Sequence, residues 1–197
     1  MSLRSCSEYS VLAIFPLAVC SLVVNILLYF PNGDTTYAGS NQLTNYVWFF
    51  EGICFGGIMM IIVAAVLLLV DFYKCGTSFG ARTKGCSRLG SIGFALLGVL
   101  FSGYSLIISS LGLAQGPYCM TVTGWSYPFT AGSYLVDYST WSQCLEPPYV
   151  VEWNVILFSI LIVLSSLQVI ICLGKAILDV IAMLCGTHRI LIEPHSI

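Results

Sequence analysis

Apolar residues fall into four long runs that charged residues seldom interrupt. The runs occupy residues 10–30, 47–70, 89–113 and 153–178. A helix needs about 20 apolar residues to cross roughly 30 Å of hydrocarbon, and a chain in lipid must satisfy its backbone as a helix or a closed barrel. We therefore predict an all-α membrane protein whose fold is a bundle of four transmembrane helices.

The polar segments between the runs predict the rest of the layout. The longest of them is rich in Pro, Gly, Trp and Tyr, and it is the one loop that could fold as a small unit outside the membrane. The other segments are too short for a domain. In chain order these segments cover residues 1–9, 31–46, 71–88, 114–152 and 179–197.

Composition agrees with a membrane protein, and charge predicts its orientation. Hydrophobic residues make up 58% of the chain and charged residues 8%, with a mean hydropathy of +0.93. Lys and Arg concentrate on the cytosolic side of membrane proteins. All seven avoid residues 31–46 and 114–152: Arg4, Lys74, Arg82, Lys84, Arg88, Lys175 and Arg189. We predict cytosolic termini and a cytosolic 71–88 loop, with the other two loops extracellular.

The two outer loops are acidic. They carry Asp34, Asp137, Glu146 and Glu152 without a basic residue. An acidic surface argues against binding nucleic acid, which requires Lys and Arg, and is compatible with a basic partner surface. Simple solvation of a small ectodomain is the alternative interpretation.

Cysteine chemistry depends on the predicted compartment. Of nine cysteines, only Cys119 and Cys144 lie in an outer loop, where an oxidising environment favours a disulfide worth about 3 kcal/mol. We predict that this bond closes the loop between the third and fourth helices. Five other cysteines near cytosolic helix ends are candidates for palmitoylation, with plain packing as the alternative: Cys6, Cys75, Cys86, Cys172 and Cys185.

Polar and small residues within the runs are candidates for binding a lipid or a partner. Glu51 is an intramembrane carboxylate near the outer aromatic belt, where a structural hydrogen bond is the alternative to a binding role. Asn25 and Gln168 could hydrogen-bond between helices. Gly52 and Gly56 form a G-x-x-x-G pair, which lets two helix backbones approach closely. Such a face packs either against the chain's own helices or against another protein.

Residues for catalysis or metal binding are sparse. The two histidines, His188 and His195, both lie in the C-terminal tail, and the sequence contains no C-x-x-C pair or phosphate-binding glycine loop. We expect no enzyme activity, no catalytic or metal-binding residues and no cofactor, with a lipid or sterol between the helices as the alternative.

Seven strings occur in an order and spacing that resemble the transmembrane 4 L six family, which is tetraspanin-like. The resemblance extends over nearly the whole chain, and the strings run from Asn25 to Gly33, Val47 to Gly52, Gly103 to Tyr104, Leu111 to Cys119, Cys144 to Pro147 together with Trp141, Val151 to Asn154 and Leu157 to Ile160.

The resemblance implies a non-enzymatic organiser at the plasma membrane, with an endosomal pool. Such a protein would associate laterally with integrins, receptors and tetraspanin assemblies and influence adhesion, migration and growth. Small-residue helix faces and the aromatic loop, including Trp125 and Trp141, would select partners. The alternative is a lipid or sterol binder, or a minor transporter, with a cavity near Glu51.

Overall fold

The computed structural model describes the backbone of residues 3–33, 43–45, 52–76, 81–129 and 132–192. Side chains are described at 12–31, 33, 43–45, 53–71, 88–129 and 132–184. The predicted membrane helices appear as helix α1 (Leu3–Leu27), a π-helical segment (Gly52–Met59) continuing into α2 (Met60–Gly76), α3 (Ala81–Gln115) and α4 (Val150–Ile192).

Three described helical ranges are long and apolar enough to cross a membrane: Ile53–Asp71, Arg88–Gln115 and Val150–Leu184. The apolar part of α1, Leu12–Leu27, is shorter. The predicted all-α membrane fold is thereby confirmed. Helices α3 and α4 extend beyond their predicted runs, and the exact membrane boundaries stay a prediction.

The described chain between α3 and α4, residues 116–129 and 132–149, folds as a small lobe. Strand β1 (Cys119–Thr121) pairs antiparallel with β2 (Gly124–Ser126), and two 3₁₀ segments follow (Ser133–Leu135 and Tyr138–Gln143). Gly116 ends α3 in a left-handed conformation, φ 80°, and its N–H donates to the carbonyl of Gly112. This is a common helix stop, and it turns the chain away from the bundle.

The interior of the bundle contains many small and polar residues beside its apolar clusters, and many large apolar residues face outward. Leu100, Val163 and Ile170 are examples of outward-facing residues, each more than half exposed. Buried positions include Ala18, Ser105 and Ser165. Small residues allow close helix packing, and lipid solvates an apolar exterior. Small buried residues and large exposed apolar residues are therefore typical of a membrane bundle.

Two apolar clusters within the bundle flank a polar middle. The cluster towards the lobe contains Val24, Leu28, Leu157, Phe158 and Leu161. The other lies towards the far end and includes Ile14, Ala18, Met60, Val63, Leu67 and Cys172. A third cluster, within the lobe and the first turn of α4, contains Cys119, Phe129, Tyr134, Val150 and Val151.

Candidate functional site

A disulfide joins Cys119 to Cys144 across 25 residues, with their Cα atoms 5.5 Å apart. The predicted pairing is confirmed. Beside it, the N–H of Met120 donates to the carbonyl of Glu146 at 2.9 Å, and the N–H of Leu145 donates to that of Met120 at 2.8 Å. The bond therefore fixes the segment at Cys144–Glu146 against the free edge of β1.

Tyr134 anchors the lobe to the end of α3. Its side chain is fully buried, its hydroxyl donates to the carbonyl of Leu113, and its ring lies 4.7 Å from that of Phe129. The indole N–H of Trp141 donates to the carbonyl of Tyr134 at 2.7 Å. Trp141 thus supports the lobe's interior, and the partner contact predicted for it stays a prediction.

Burial raises the pKa of Tyr134 from 10.0 to about 12, because its ionised form would lose solvation. A group whose pKa rises on folding stabilises the fold fully below its unfolded pKa. The contribution of Tyr134 is therefore complete below about pH 10 and is lost as the pH rises towards 12.

Asp137 caps the second 3₁₀ segment at the exposed side of the lobe. The hydroxyl of Ser139 donates to its carboxylate at 2.7 Å and the backbone N–H of Ser139 at 3.1 Å. These two hydrogen bonds lower the pKa of Asp137, with the hydroxyl having the larger effect. The residue therefore stays ionised at neutral pH.

One face of the lobe's sheet carries a row of aromatic side chains. The ring centroid of Tyr118 lies 5.7 Å from that of Trp125 and 5.0 Å from that of Tyr127. The hydroxyl of Tyr127 also accepts a hydrogen bond from the backbone N–H of Asn45 at 3.0 Å. This bond joins the lobe to the described part of the chain between α1 and the π-helical segment. Trp125, a predicted partner residue, belongs to this partly exposed row.

Helices α3 and α4 pack through a seam that repeats every seven residues. The contacts recur every seven residues towards the C-terminus of α3 and every seven residues towards the N-terminus of α4. Ser91 contacts Asp179, Gly98 contacts Cys172, Ser105 contacts Ser165 and Gly112 contacts Phe158. A seven-residue repeat is typical of helices that pack with a left-handed supercoil. The buried residues of α3 along this seam are all small: Ser91, Ala95, Gly98, Ser102, Ser105, Ser109 and Gly112.

The seam makes Gly112 sensitive to a single methyl group. A Cβ at Gly112 would lie 2.7 Å from Cζ of Phe158, whereas one at Gly103 would meet no described heavy atom within 4 Å. Phe158 is 2% exposed and has little room to move. Relative to Gly103→Ala, we expect Gly112→Ala to lower the free energy of unfolding by about 1 to 3 kcal/mol, the usual cost of overpacking.

Titration with sodium dodecyl sulfate in dodecyl maltoside micelles measures this difference. Gly103→Ala is the matched control, since it adds the same methyl group to the same helix and gains up to about 1 kcal/mol of helix propensity. Equal stability of the two variants would contradict the packing of Phe158 on Gly112.

A polar layer crosses the middle of the bundle. The hydroxyls of Ser105 and Ser165 are 3.1 Å apart, and a Cβ at Gly56 would lie 2.6 Å from the Ser105 hydroxyl and 3.4 Å from that of Ser21. Gly56 therefore packs against other helices of the same chain, and Gly57 packs against Leu22 in the same way. Asn25 donates to the carbonyl of Ser21 in its own helix at 2.9 Å.

Gln168 is enclosed at the polar layer. Its residue is 0% exposed, and neither Nε2 nor Oε1 has a hydrogen-bond partner among the described residues. An unpaired buried amide costs about 1 to 3 kcal/mol. The buried amide of Gln168 therefore lowers the stability of the bundle. The predicted hydrogen bond from Gln168 to another helix is not found among the described residues.

We expect Gln168→Met to raise the free energy of unfolding by about 1 to 3 kcal/mol, because methionine keeps the length of the side chain without the unpaired amide. The same detergent titration measures it. Gln143→Met, on an exposed 3₁₀ segment of the lobe, is the control and should change stability by less than about 0.5 kcal/mol. A loss of stability at position 168 would mean that the amide has a partner in the folded protein.

A buried ion network joins three helices at the end opposite the lobe. Lys175 of α4 is 1% exposed, and its Nζ lies 3.1 Å from Asp71 of α2 and 3.2 Å from Asp179 of α4. Ser91 of α3 donates to the other side of the network, at 2.6 Å to Asp179. Arg88 donates to the carbonyl of Ala182 nearby.

From the sequence, Lys175 was predicted only to mark the cytosolic side, and no role was predicted for Asp71 or Asp179. Two signals were present in the sequence. Lys175 and Asp179 have the i, i+4 spacing of a helical ion pair, and Asp71 closes the second apolar run. Charged residues at the ends of spans pair when the helices bring them together.

The remaining predicted sites are only partly covered by the structure. Glu51 lies outside the described residues, and so do the side chains of Cys6, Cys75, Cys86 and Cys185. Gly52 begins the π-helical segment, and only its backbone is described. Cys172 is 0% exposed, with its Sγ packed on Gly98. An acyl transferase cannot reach a thiol in this position, and the burial removes Cys172 from the palmitoylation candidates.

Comparison with known proteins gives a consistent match. The family model of the L6 membrane protein matches residues 1–189. Transmembrane 4 L6 family member 18 is 56% identical in Homo sapiens and 55% in Bos taurus, each over 199 residues that cover 98% of both chains. Transmembrane 4 L6 family member 1 from Homo sapiens is 46% identical over 175 residues, 86% of this chain and 87% of the relative. No solved structure matches.

Proposed function

The chain belongs to the L6 membrane protein family, and we propose on that premise that it is a non-enzymatic organiser of other membrane proteins. It associates laterally with integrins, receptors and tetraspanin assemblies and thereby influences adhesion, migration and growth. The relatives are named as members of a transmembrane family, and their names attribute no catalytic activity to them.

The observation that carries this proposal is the contrast between the bundle and the lobe. Several small residues of the bundle, among them Gly56, Gly98 and Gly112, pack on the chain's own helices. The lobe instead holds large apolar side chains in exposed positions, among them Val122 at 92%, Val136 at 87% and Tyr149 at 70%. Exposed apolar groups outside the lipid favour protein contact, so the lobe is the partner-binding part.

The proposed orientation puts the lobe outside the cell and the Lys175 network at the cytosolic side of the plasma membrane, with an endosomal pool. Basic residues support it, because residues 116–149 contain none while Arg88 and Lys175 lie at the opposite end. An N-terminal epitope tag should be reachable by antibody only after permeabilisation. Labelling of the tag on intact cells would reverse the orientation.

Proximity labelling in intact cells tests the organiser role. The full chain carries the labelling enzyme at its N-terminus, and the wild type is compared with a Cys119→Ser, Cys144→Ser double variant. We expect the double variant to lose labelled receptors and integrins. Cys54→Ser, a half-buried cysteine of the π-helical segment, is the control and should keep them. An unchanged labelled set at equal surface expression would contradict the organiser role.

The alternative function, binding a lipid or sterol near Glu51, gives a different result. Lipid that co-purifies with the wild type and is lost in Glu51→Gln, with the labelled proteins unchanged, would favour that alternative. Among its other predicted residues, Asn25 bonds within its own helix and Gln168 is enclosed.

We also propose palmitoylation at Cys6, Cys75, Cys86 and Cys185, near the cytosolic helix ends. Acyl–biotin exchange on single Cys→Ser variants should show a lower signal for one or more of these four. Cys172→Ser should leave the signal unchanged, because its thiol is buried in the α3–α4 seam. Labelling that depends on Cys172 would contradict the seam.

A further inference from the structure

Three side chains stand in a row across the lobe's sheet. Met120 in β1 is paired with Trp125 of β2 on one side and bridged to Glu146 on the other. Directly opposite residues of an antiparallel pair project from the same face. Met120 is 37% exposed, Trp125 is partly exposed and Glu146 is exposed. We call these three residues the ladder row.

The ladder row combines the features that recognise a cationic side chain. Neighbouring strands are about 4.8 Å apart, so Trp125 and Glu146 stand about 10 Å apart with the thioether of Met120 between them. The ring of Tyr118 stacks beside that of Trp125. An aromatic face attracts a cation, a carboxylate pairs with it, and methionine is a flexible apolar platform for its alkyl stem.

Charge makes the row complementary to a basic partner. Residues 116–149 contain no Lys or Arg, so the sequence of the lobe supplies no cation for Glu146. The disulfide and the two backbone hydrogen bonds to Met120 hold the Glu146 segment beside β1 before any partner arrives. A preorganised surface loses less entropy on binding.

We propose that the ladder row binds an exposed Arg or Lys side chain, flanked by apolar residues, on the extracellular part of a neighbouring membrane protein. The alkyl stem lies on Met120, and the charge lies between the Trp125 ring and the Glu146 carboxylate. A choline headgroup fits less well, since it brings a phosphate next to a surface without basic residues. This inference rests on the proposed organiser function and names the chemistry of the partner.

A binding experiment with full-length protein in dodecyl maltoside micelles tests the proposal. Methionine methyl groups carry ¹³C, and the signal that Met120→Leu removes is the one followed. The probes are the peptide acetyl-Gly-Leu-Arg-Leu-Gly-amide, its citrulline counterpart, which keeps the shape without the charge, and phosphocholine. We expect the arginine peptide alone to shift the Met120 signal in a saturable way.

Variants assign the contacts. Glu146→Gln should weaken the arginine peptide about tenfold, the effect of losing a hydrogen bond to a charged group, and Trp125→Leu about threefold. Asp137→Asn, another exposed carboxylate of the lobe, is the matched control and should change the affinity less than about twofold. The resolved Met120 signal in each variant shows that the lobe remains folded.

Three outcomes would overturn the proposal: an equal shift with the citrulline peptide, no shift with either peptide, or a stronger shift with phosphocholine than with the arginine peptide. The last would assign the row to a lipid headgroup. Each is independent of the proximity labelling. The Cys119→Ser, Cys144→Ser double variant could lose labelled proteins in cells while the arginine peptide leaves the Met120 signal unchanged. In that case the organiser function stands and this inference fails.

Discussion

Replacing Lys175 by methionine is expected to lower the free energy of unfolding of the bundle by about 3 to 5 kcal/mol. The change would leave Asp71 and Asp179 facing each other at the end of the bundle without the ammonium that lies 3.1 and 3.2 Å from them. Their side chains are only 12% and 10% exposed, so water compensates for little of the lost attraction. Titration with sodium dodecyl sulfate in micelles measures the effect.

Two further variants separate the ion network from a general effect of substitution. Ile177→Met lies two residues away on the outward face, 57% exposed, and should change stability by less than about 0.5 kcal/mol. A quadruple variant with Lys175→Met, Asp71→Leu, Asp179→Leu and Ser91→Ala should recover most of the loss, because it removes the charges and the hydroxyl of the described network together. A Lys175→Met variant as stable as the wild type would contradict a buried ion network.

The architecture was predictable because its causes are local. Four apolar runs specify four helices whatever their neighbours are, since lipid leaves few other ways to satisfy the backbone. The pair Cys119 and Cys144 followed from counting cysteines in one predicted compartment, and the structure confirms it. Gly116 and Pro117 at the end of α3 are likewise a stop that the sequence shows on its own.

The candidate sites were harder to predict from the sequence, because they depend on which residues of different helices and strands the fold brings together. Asp71 and Lys175 are 104 residues apart, and only the packed bundle brings them together. Gly56 was recognised as a close-packing residue, but the sequence could not say that its neighbours are Ser105 and Ser21. The ladder row escaped notice for the same reason, since the bridge from Met120 to Glu146 requires the folded lobe.

The seven-residue repeat of the α3–α4 seam was visible in the sequence. In α3 it is a series of small residues from Ser91 to Gly112, spaced three or four residues apart. A periodic stripe of small residues indicates a close helix contact. The sequence does not show which helix packs on this stripe, because any other helix of the bundle could do so. The structure identifies that helix as α4.

Removing the disulfide with Cys119→Ala and Cys144→Ala is expected to destabilise the lobe by about 3 kcal/mol, within a usual range of about 2 to 5 kcal/mol. The bond closes a loop between residues 25 apart, and Cys119 is itself wholly buried against the lobe's apolar cluster. We expect the amides of Met120 and Leu145, which join β1 to the Glu146 segment, to exchange hydrogen about 100-fold faster.

Hydrogen exchange of the full chain in micelles resolves this effect along the sequence. Amides in the middle of α3 and α4 should keep their protection, because the bundle packs through clusters that are separate from the lobe's. Cys54→Ala is the control and should leave the lobe amides unchanged. Unchanged protection at Met120 in the double variant would mean that the Tyr134 anchor and the strand ladder hold the lobe without the covalent bond. The proposed partner-binding surface would then survive reduction.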